Sequence, residues 1–360
     1  MIGIEMDRYI RQVSVNDFGE KAQEKLQKSK VLVIGAGALG CPVLMYLTAA
    51  GVGTIGVLDS DEVTLSNLHR QVLYSEKNID EPKALVASKR LSEMNSMVKV
   101  VPHFTRLHKD NALQLISQYD LVIECSDNFP TKFLVNDACV MLGKPFIIGG
   151  VLKFSGQLSV YNYNGGPTYR CLLEEEPDPL EAPTCSEAGV IGMVPGIIGT
   201  MQALEALKVV TGIGDTLSGR LLNFDGLAMT FTEFDIALNP NNLKIKELAE
   251  YDYSCPDYIL KASEINAETF IEMLSSDNPP LILAFADDGN PIKSLAYEWD
   301  TLPLYELPNI VEGLPRDKDI MLLCEQGIKS VSALRYLVTQ KNFDRVYHLK
   351  DGVSSLKLKK

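Results

Sequence analysis

The chain has 360 residues, 46% hydrophobic and 22% charged, with a formal net charge of −13, which leaves room for two domains that each bury a core. That acidic balance gives no electrostatic reason to expect nucleic acid or an anionic membrane as partner. No apolar run is read as membrane-spanning, and the N-terminus lacks the basic-then-apolar order of a signal peptide. Seven cysteines, an odd number with no short-spaced pair, suit a reducing compartment, so the cytoplasm is the expected location.

Residues 8 to 28 carry apolar positions at helical spacing among charges and predict an N-terminal helix and loop. Val31 to Ile34 then reads as a strand that breaks into Gly35-Ala-Gly37-Ala-Leu-Gly40 and resumes as an apolar helix to Ala50. In such a turn Gly35 permits the tight bend, Gly37 lets the backbone approach a phosphate, and Gly40 allows close helix–strand packing, with the anion on the helix N-terminus. Asp59 closes the next strand, Thr54 to Leu58, about 20 residues on, where a ribose hydroxyl would be held. Alone, this motif fits NAD, FAD or ATP.

Strand–helix alternation continues through a helix near 83–94, a strand at 98–101, a helix near 111–117, the strand Leu121 to Cys125, a helix at 131–142 and the strand Pro145 to Ile148. It predicts a parallel, doubly wound sheet with right-handed crossovers. From Gln157 the pattern becomes alternating apolar and polar, at 157–163, 221–225 and 230–235, as in half-buried antiparallel strands. The expected fold class is therefore α/β, a Rossmann-like doubly wound mixed sheet with a parallel first half and an antiparallel second half. Between the first two of these strands lie an acidic, proline-rich loop, 174–183, the run Thr184-Cys185-Ser-Glu-Ala-Gly189, and a long helix at 195–211. A loop of that length is functional or mobile.

Residues 237–260 read as a linker, rich in turn formers. A second unit follows: a capped amphipathic helix at 262–274, a buried strand at 280–285, and the strand Asp319 to Cys324 leading through Glu325-Gln-Gly327-Ile-Lys329-Ser330 into a helix. The expected domains are 1–240 and 261–360, joined by a linker at 241–260.

The chemistry lies downstream of Asp59. Ser66-Asn67-Leu-His69-Arg70-Gln71 and Pro82-Lys83 bring donors and two positive charges within reach of one polyphosphate. Asp127, in Ser126-Asp127-Asn128, comes to the carboxyl edge of the sheet, where doubly wound folds bind ligands. An acid facing a triphosphate is unfavourable unless a cation lies between, so Asp127 reads as a Mg²⁺ ligand. Cys41, Cys125 and Cys139 fall in predicted elements as buried apolar side chains.

Together with Arg8-Tyr-Ile-Arg11-Gln12 and Thr184 to Gly189, these motifs give residues 8 to 235 a close resemblance to the MoeB/ThiF/HesA family of the ubiquitin-activating-enzyme superfamily. The resemblance implies a homodimer that uses ATP and Mg²⁺ to adenylate the C-terminal glycine of a MoaD- or ThiS-type sulfur carrier, releasing pyrophosphate. It implies that Asp59 holds the ribose, Asn67, Arg70 and Lys83 the phosphates, and Asp127 the metal. Arg11 would reach across the dimer to the γ-phosphate; Gly35, Gly37, Gly40, Ser66 and Asn128 complete the nucleotide site. In related activating enzymes the cysteine matching Cys185 attacks the acyl adenylate, whereas in MoeB-type members it is thought dispensable. Family members also carry a structural Zn²⁺ on two Cys-x-x-Cys pairs. The matching places read Thr168-Tyr-Arg-Cys171 and Cys255-Pro-Asp-Tyr258, and two thiolates do not close a tetrahedral site, so no zinc is expected.

The C-terminal unit resembles a rhodanese domain, which implies a persulfide on Cys324 held by loop amides and a sulfur donor such as a cysteine desulfurase. It departs from that family in carrying Glu325 where a cation is usual and Lys329 where an arginine is usual. Sulfur delivery to a carrier thiocarboxylate and simple carrier docking both remain open for it. Fusion to this unit favours a molybdopterin role over ThiF-like thiamin chemistry. An NAD-dependent oxidoreductase would leave Arg11, Arg70 and Lys83 without work, and a non-catalytic carrier-binding scaffold would not turn over ATP.

Overall fold

The computed structural model describes residues 2–177, 189–249, 263–286, 290–294 and 297–356. Cys185, Cys255, most of the acidic loop and the second half of the expected linker lie outside the described residues. Two compact units emerge: among the described residues, one takes in those up to 176 and those from 189 to 249, and the other those from 263 onward.

The first unit is built on one eight-stranded sheet in the order β3-β2-β1-β4-β5-β6-β7-β8. In chain order the strands are β1 (Lys30–Ile34), β2 (Thr54–Leu58), β3 (Lys99–His103), β4 (Leu121–Glu124), β5 (Phe146–Leu152), β6 (Ser155–Tyr161), β7 (Arg220–Asp225) and β8 (Thr230–Asp235). The first five pair in parallel and the last three antiparallel, so the mixed α/β sheet expected from the sequence is the one observed. β1 and β4 are buried because helices cover both faces of a parallel sheet. The order reverses between β1 and β4, and the crevice beyond their carboxyl ends is where such sheets bind ligands.

Two expectations are corrected. β8 is exposed along its whole length rather than half-buried, because it is an edge strand with β7 as its neighbour in the sheet; Phe231 rests on buried Phe224 at 4.9 Å between ring centroids. The helix Met193–Thr211, 19 residues long, is apolar enough to cross a membrane, contrary to the reading that no such run exists. It packs against β5, β6 and the helix Gly40–Ala50, and it carries buried Glu205, whose carboxylate accepts from the Leu217 N–H at 2.9 Å. Burial against a sheet makes the same demand for apolar side chains as lipid does.

The second unit holds a five-stranded parallel sheet in the order β13-β10-β14-β15-β9, with β9 (Glu264–Ile265), β10 (Leu281–Phe285), β13 (Thr301–Leu302), β14 (Ile320–Cys324) and β15 (Val346–Leu349). β11 (Ile292–Ser294) and β12 (Tyr297–Trp299) form a separate hairpin. Two apolar clusters flank central β14, one around Phe285 and Leu322 and the other around Phe270 and Leu323. The helix expected from 262 starts later, at Ala267–Leu274, since Glu264 and Ile265 pair with β15 and Asn266 then caps the helix through the Thr269 N–H at 2.8 Å.

Candidate active site

Gly35 follows β1 at φ +92°, a conformation that side chains disfavour. A Cβ there would meet the Cys125 carbonyl at 2.9 Å, and one on Gly40 would meet the Gly35 oxygen at 2.0 Å. The turn is thus pressed against the end of β4 on one side and against its own helix on the other. Gly37 differs: a Cβ would meet only Gln71 at an ordinary 3.6 Å, so its backbone has room on the crevice side. The Tyr74 hydroxyl donates to the Ala36 carbonyl at 2.8 Å and the Ala36 N–H to Asp59 at 2.7 Å, which fixes the peptide between the two glycines.

Asp59 is nearly buried. Burial pushes its carboxyl above the usual carboxylate range, opposed by the nearby Lys83 charge and by N–H donors from Ala36 and Asp61. Lys83 is 4% exposed, and its Nζ reaches the Asp61 carboxylate at 3.0 Å. Arg70 is aimed by its own turn, donating to Asn67 Oδ1 at 3.0 Å and the Ser66 carbonyl at 3.1 Å, while Asn67 donates to Thr64 at 2.7 Å. Ser66, Asn67 and Arg70 therefore form one cluster, and Asp59, Asp61 and Lys83 a second.

Asp127 stands exposed after β4, and among the described residues its carboxylate has no hydrogen bond or ion pair. Helix capping falls instead to Asn128, whose Oδ1 accepts from the Thr131 N–H at 2.9 Å. Asn128 thus commits its side-chain oxygen to the helix Phe129–Leu142. Arg11 sits exposed in the last turn of the helix Ile2–Val13, with no ion pair to the other site residues among the described ones. No group of three His, Cys, Asp or Glu that could hold a metal occurs among the described residues. An exposed carboxylate with no partner among the described residues nevertheless suits Mg²⁺, which keeps several waters and binds through one or two carboxylates and substrate phosphates.

Cys41, Cys125 and Cys139 are buried, as the sequence suggested. Burial raises all three thiols, Cys41 to about 12. Cys171 behaves differently: burial raises it, but donors from Thr168, Asn239 and Asn242 outweigh that and hold it below its ordinary value. These donors, in the turns 168–171 and 239–242, are what the structure places beside Cys171; Cys255, which stands at the other family zinc position, lies outside the described residues. In the second unit Cys324 ends β14, buried, and Sγ meets the Ser330 N–H at 3.4 Å and its hydroxyl at 3.5 Å. Gly327, at φ +82°, turns the chain between them.

Sequence reasoning missed Glu124, Lys132, Asp61 and Tyr74. Glu124 lies at 0% exposure and pairs with Lys132, itself 7% exposed. Burial pushes the Glu124 carboxyl up, and Lys132 opposes the shift. The signal was present: one acid inside Leu121-Val-Ile-Glu-Cys125 and one lysine inside the apolar helix Phe129-Pro-Thr-Lys-Phe-Leu, both at positions whose pattern asks for apolar residues.

The fold and crevice define a class, a doubly wound α/β protein with a glycine-rich turn after its first strand and a carboxylate hydrogen-bonded to that turn. Within that class the chain belongs to the ThiF family, whose model matches residues 9–245. It is 47% identical over 262 residues to a sulfur carrier protein adenylyltransferase of Thermus thermophilus, covering 70% of this chain and 97% of that protein. MoeZ of Mycobacterium tuberculosis is 38% identical over 369 residues, covering 97% of this chain and 92% of the relative. The chain spans 59% of the adenylyltransferase and sulfurtransferase MOCS3 of Aedes aegypti, at 45% identity over 258 residues that make up 70% of this chain. Among solved structures, E. coli MccB with ATP superposes with a TM-score of 0.58 at 22% identity, covering 65% of this chain and 72% of that one, and shows a shared fold.

Proposed function

We propose that this chain uses Mg·ATP to adenylate the C-terminal glycine carboxylate of a ubiquitin-like sulfur-carrier protein, releasing pyrophosphate, and then passes sulfur to the activated carboxylate. The observation that supports the reading is the glycine turn after β1 tied to Asp59 through the Ala36 N–H, with Lys83 beside Asp59 and Asp61. The self-braced Ser66–Asn67–Arg70 turn and Asp127, exposed after β4 with no partner among the described residues, complete the set of residues assigned to the nucleotide. Relatives bearing adenylyltransferase names support it.

Asp59 holds the ribose, and the Gly35–Gly40 turn with Ser66, Asn67, Arg70 and Lys83 holds the phosphates. A carrier carboxylate oxygen bonds to the α-phosphorus while the α–β bridging bond breaks, its electron pair leaving with pyrophosphate. Nucleophile and phosphate are both anionic, so Arg70 and Lys83 must offset their repulsion and keep attack in line. No base is needed, because a carboxylate is already ionised. Mg²⁺ held by Asp127 would neutralise charge on the triphosphate. Arg11, exposed at its helix end, reaches the γ-phosphate of a partner copy in a homodimer.

The second unit, taken as a rhodanese-like domain over 261–360 after a linker at 241–260, supplies sulfur from Cys324. The Ser330 N–H and hydroxyl would stabilise the sulfur anion there. Cys185 is the candidate acceptor of the activated acyl group. The outer sulfur of a Cys324 persulfide attacks the activated acyl carbon, expelling the acyl group's previous partner and giving an acyl disulfide. A second thiol then attacks the Cys324 sulfur, which releases the carrier thiocarboxylate for molybdopterin and leaves a disulfide, in the cytoplasm with a cysteine desulfurase as upstream donor. The reading is tested by ATP–pyrophosphate exchange with MoaD-like and ThiS-like carriers ending in Gly-Gly. Exchange that requires the MoaD-like carrier is expected. A requirement for the ThiS-like carrier moves the pathway to thiamin thiazole, and no exchange with either carrier defeats adenylation.

A further inference from the structure

We propose that the buried Glu124–Lys132 ion pair is a positioning device for Asp127, holding Ser126 by both its N–H and its carbonyl and so setting where the carboxylate enters the crevice. The inference rests on the reading of Asp127 as the Mg²⁺ ligand.

Glu124 Oε1 accepts from the Ser126 N–H at 2.7 Å, and Lys132 Nζ donates to the Ser126 carbonyl at 3.1 Å. The two opposite charges hold the two polar groups of the residue immediately before Asp127. Lys132 Nζ also donates to the Gly149 carbonyl on β5 at 3.1 Å and pairs with Glu124 Oε2, so its three protons are all placed. The Glu124 backbone carbonyl accepts from Gln202 Nε2 at 2.9 Å, on the helix Met193–Thr211. A Cβ on Gly149 would meet Gln202 at 2.6 Å, which keeps that strand close. Two strands and two helices thus converge on the segment Glu124–Ser126.

Stability alone does not account for such a pair. Two charges in a dry interior can generally be replaced by apolar residues of similar volume without loss, whereas removing one partner leaves an uncompensated charge. What apolar residues cannot supply is a donor and an acceptor aimed at the two backbone groups of one residue. Asp127 itself has no partner among the described residues, so its direction is inherited from the backbone that carries it. Residues that orient a metal carboxylate typically matter about 10- to 100-fold in metal affinity or activity.

The test uses the full chain and the double variant Glu124→Leu/Lys132→Met, which removes both charges and leaves neither orphaned. We expect it to fold, to need about 10-fold more Mg²⁺ for half-maximal ATP–pyrophosphate exchange, and to lose up to about 100-fold in kcat, with KM for ATP little changed. A folded double variant with wild-type rate and Mg²⁺ dependence overturns the proposal. If it does not fold, Glu124→Gln carries the comparison: its shape is kept, and a smaller shift in the same direction is expected, an unchanged Mg²⁺ profile being fatal. Hydrogen exchange separates failure here from failure of the adenylation reading, because it needs no turnover. The Ser126 amide should be protected in the native protein and lose protection in the variant, and equal protection in both defeats the clamp.

Discussion

Two loops in this molecule sit at comparable places, each after the carboxyl end of a central parallel strand, and they handle charge in opposite ways. After β2 and β4 the first unit gathers full charges, with Lys83 buried beside Asp59 and Asp61, Arg70 braced by its own turn, and Asp127 without a partner among the described residues. After β14 the second unit offers Cys324 the N–H and hydroxyl of Ser330, with acidic Glu325 next in sequence and exposed. A polyphosphate with several negative charges calls for fixed cations, and a single sulfur anion can be held by neutral dipoles. The difference suits two consecutive steps in which a carboxylate is first activated and then receives sulfur.

The sharpest way to break that comparison is to remove charge from the first loop. Asp127→Ala and Lys83→Ala should each lower carrier-dependent exchange by about 100- to 1,000-fold, with the fold intact by circular dichroism. Lys83→Ala leaves exposed Asp61 unpaired and also takes a nearby positive charge from nearly buried Asp59, so a stability cost of about 1 to 3 kcal/mol is expected. If exchange survives either change, the crevice is not the adenylation site.

Next comes the separation of the two loops. Cys324→Ala should abolish sulfur transfer to the carrier while leaving exchange within about 2-fold of wild type, since no reacting phosphate lies at that loop. Cys185→Ala decides whether the acyl group passes through a thiol: loss of thiocarboxylate with normal exchange is expected of a covalent acceptor, and full activity assigns transfer directly from the adenylate. A smaller effect should follow Glu325→Lys, which replaces a like charge beside the sulfur anion. Sulfur loading of Cys324 should then quicken by a few-fold, and an unchanged rate would show that solvent screens this exposed side chain.

The smallest effect is one of pH. His348, on β15, is buried, with Glu264 at 3.9 Å and Lys350 nearby. Burial lowers its pKa below the ordinary 6.5, and Glu264 only partly opposes this. The unfolded chain therefore binds a proton that the folded unit refuses, so stability falls as pH drops below 6.5 and toward the folded value. The slope is at most about 1.4 kcal/mol per pH unit. Trp299, the sole tryptophan of the chain and close to Phe270, gives a fluorescence signal confined to the second unit. Unfolding followed by that signal should lose much of its acid sensitivity in His348→Gln.

Much of the first unit was legible from local pattern. The run Val31 to Gly40 specifies strand, turn and helix through apolar periodicity and glycines with separate steric duties, and Gly35 and Gly40 meet the close contacts their positions suggest. Burial of Cys41, Cys125 and Cys139 followed from their apolar neighbours in the chain. The second unit was less legible: Glu264 and Ile265 sit in a helical pattern yet form a strand, because pairing with β15 outweighs a propensity worth tenths of a kcal/mol per residue. The exposure of β8 was equally hidden, since alternation cannot say whether a strand has a neighbour on each side.

By itself, the sequence determined most of the elements of the first unit, its mixed sheet and the steric duties of Gly35 and Gly40, because turn sterics and hydrophobic period act over a few residues. Only the tertiary structure decided that Asn128 rather than Asp127 caps the helix, that Lys83 turns to Asp61, and that Glu124 and Lys132 hold the N–H and the carbonyl of Ser126. Those are choices among partners distant in the chain or equally plausible nearby. They are settled by burial, where a charge must find its counterpart or remain in water.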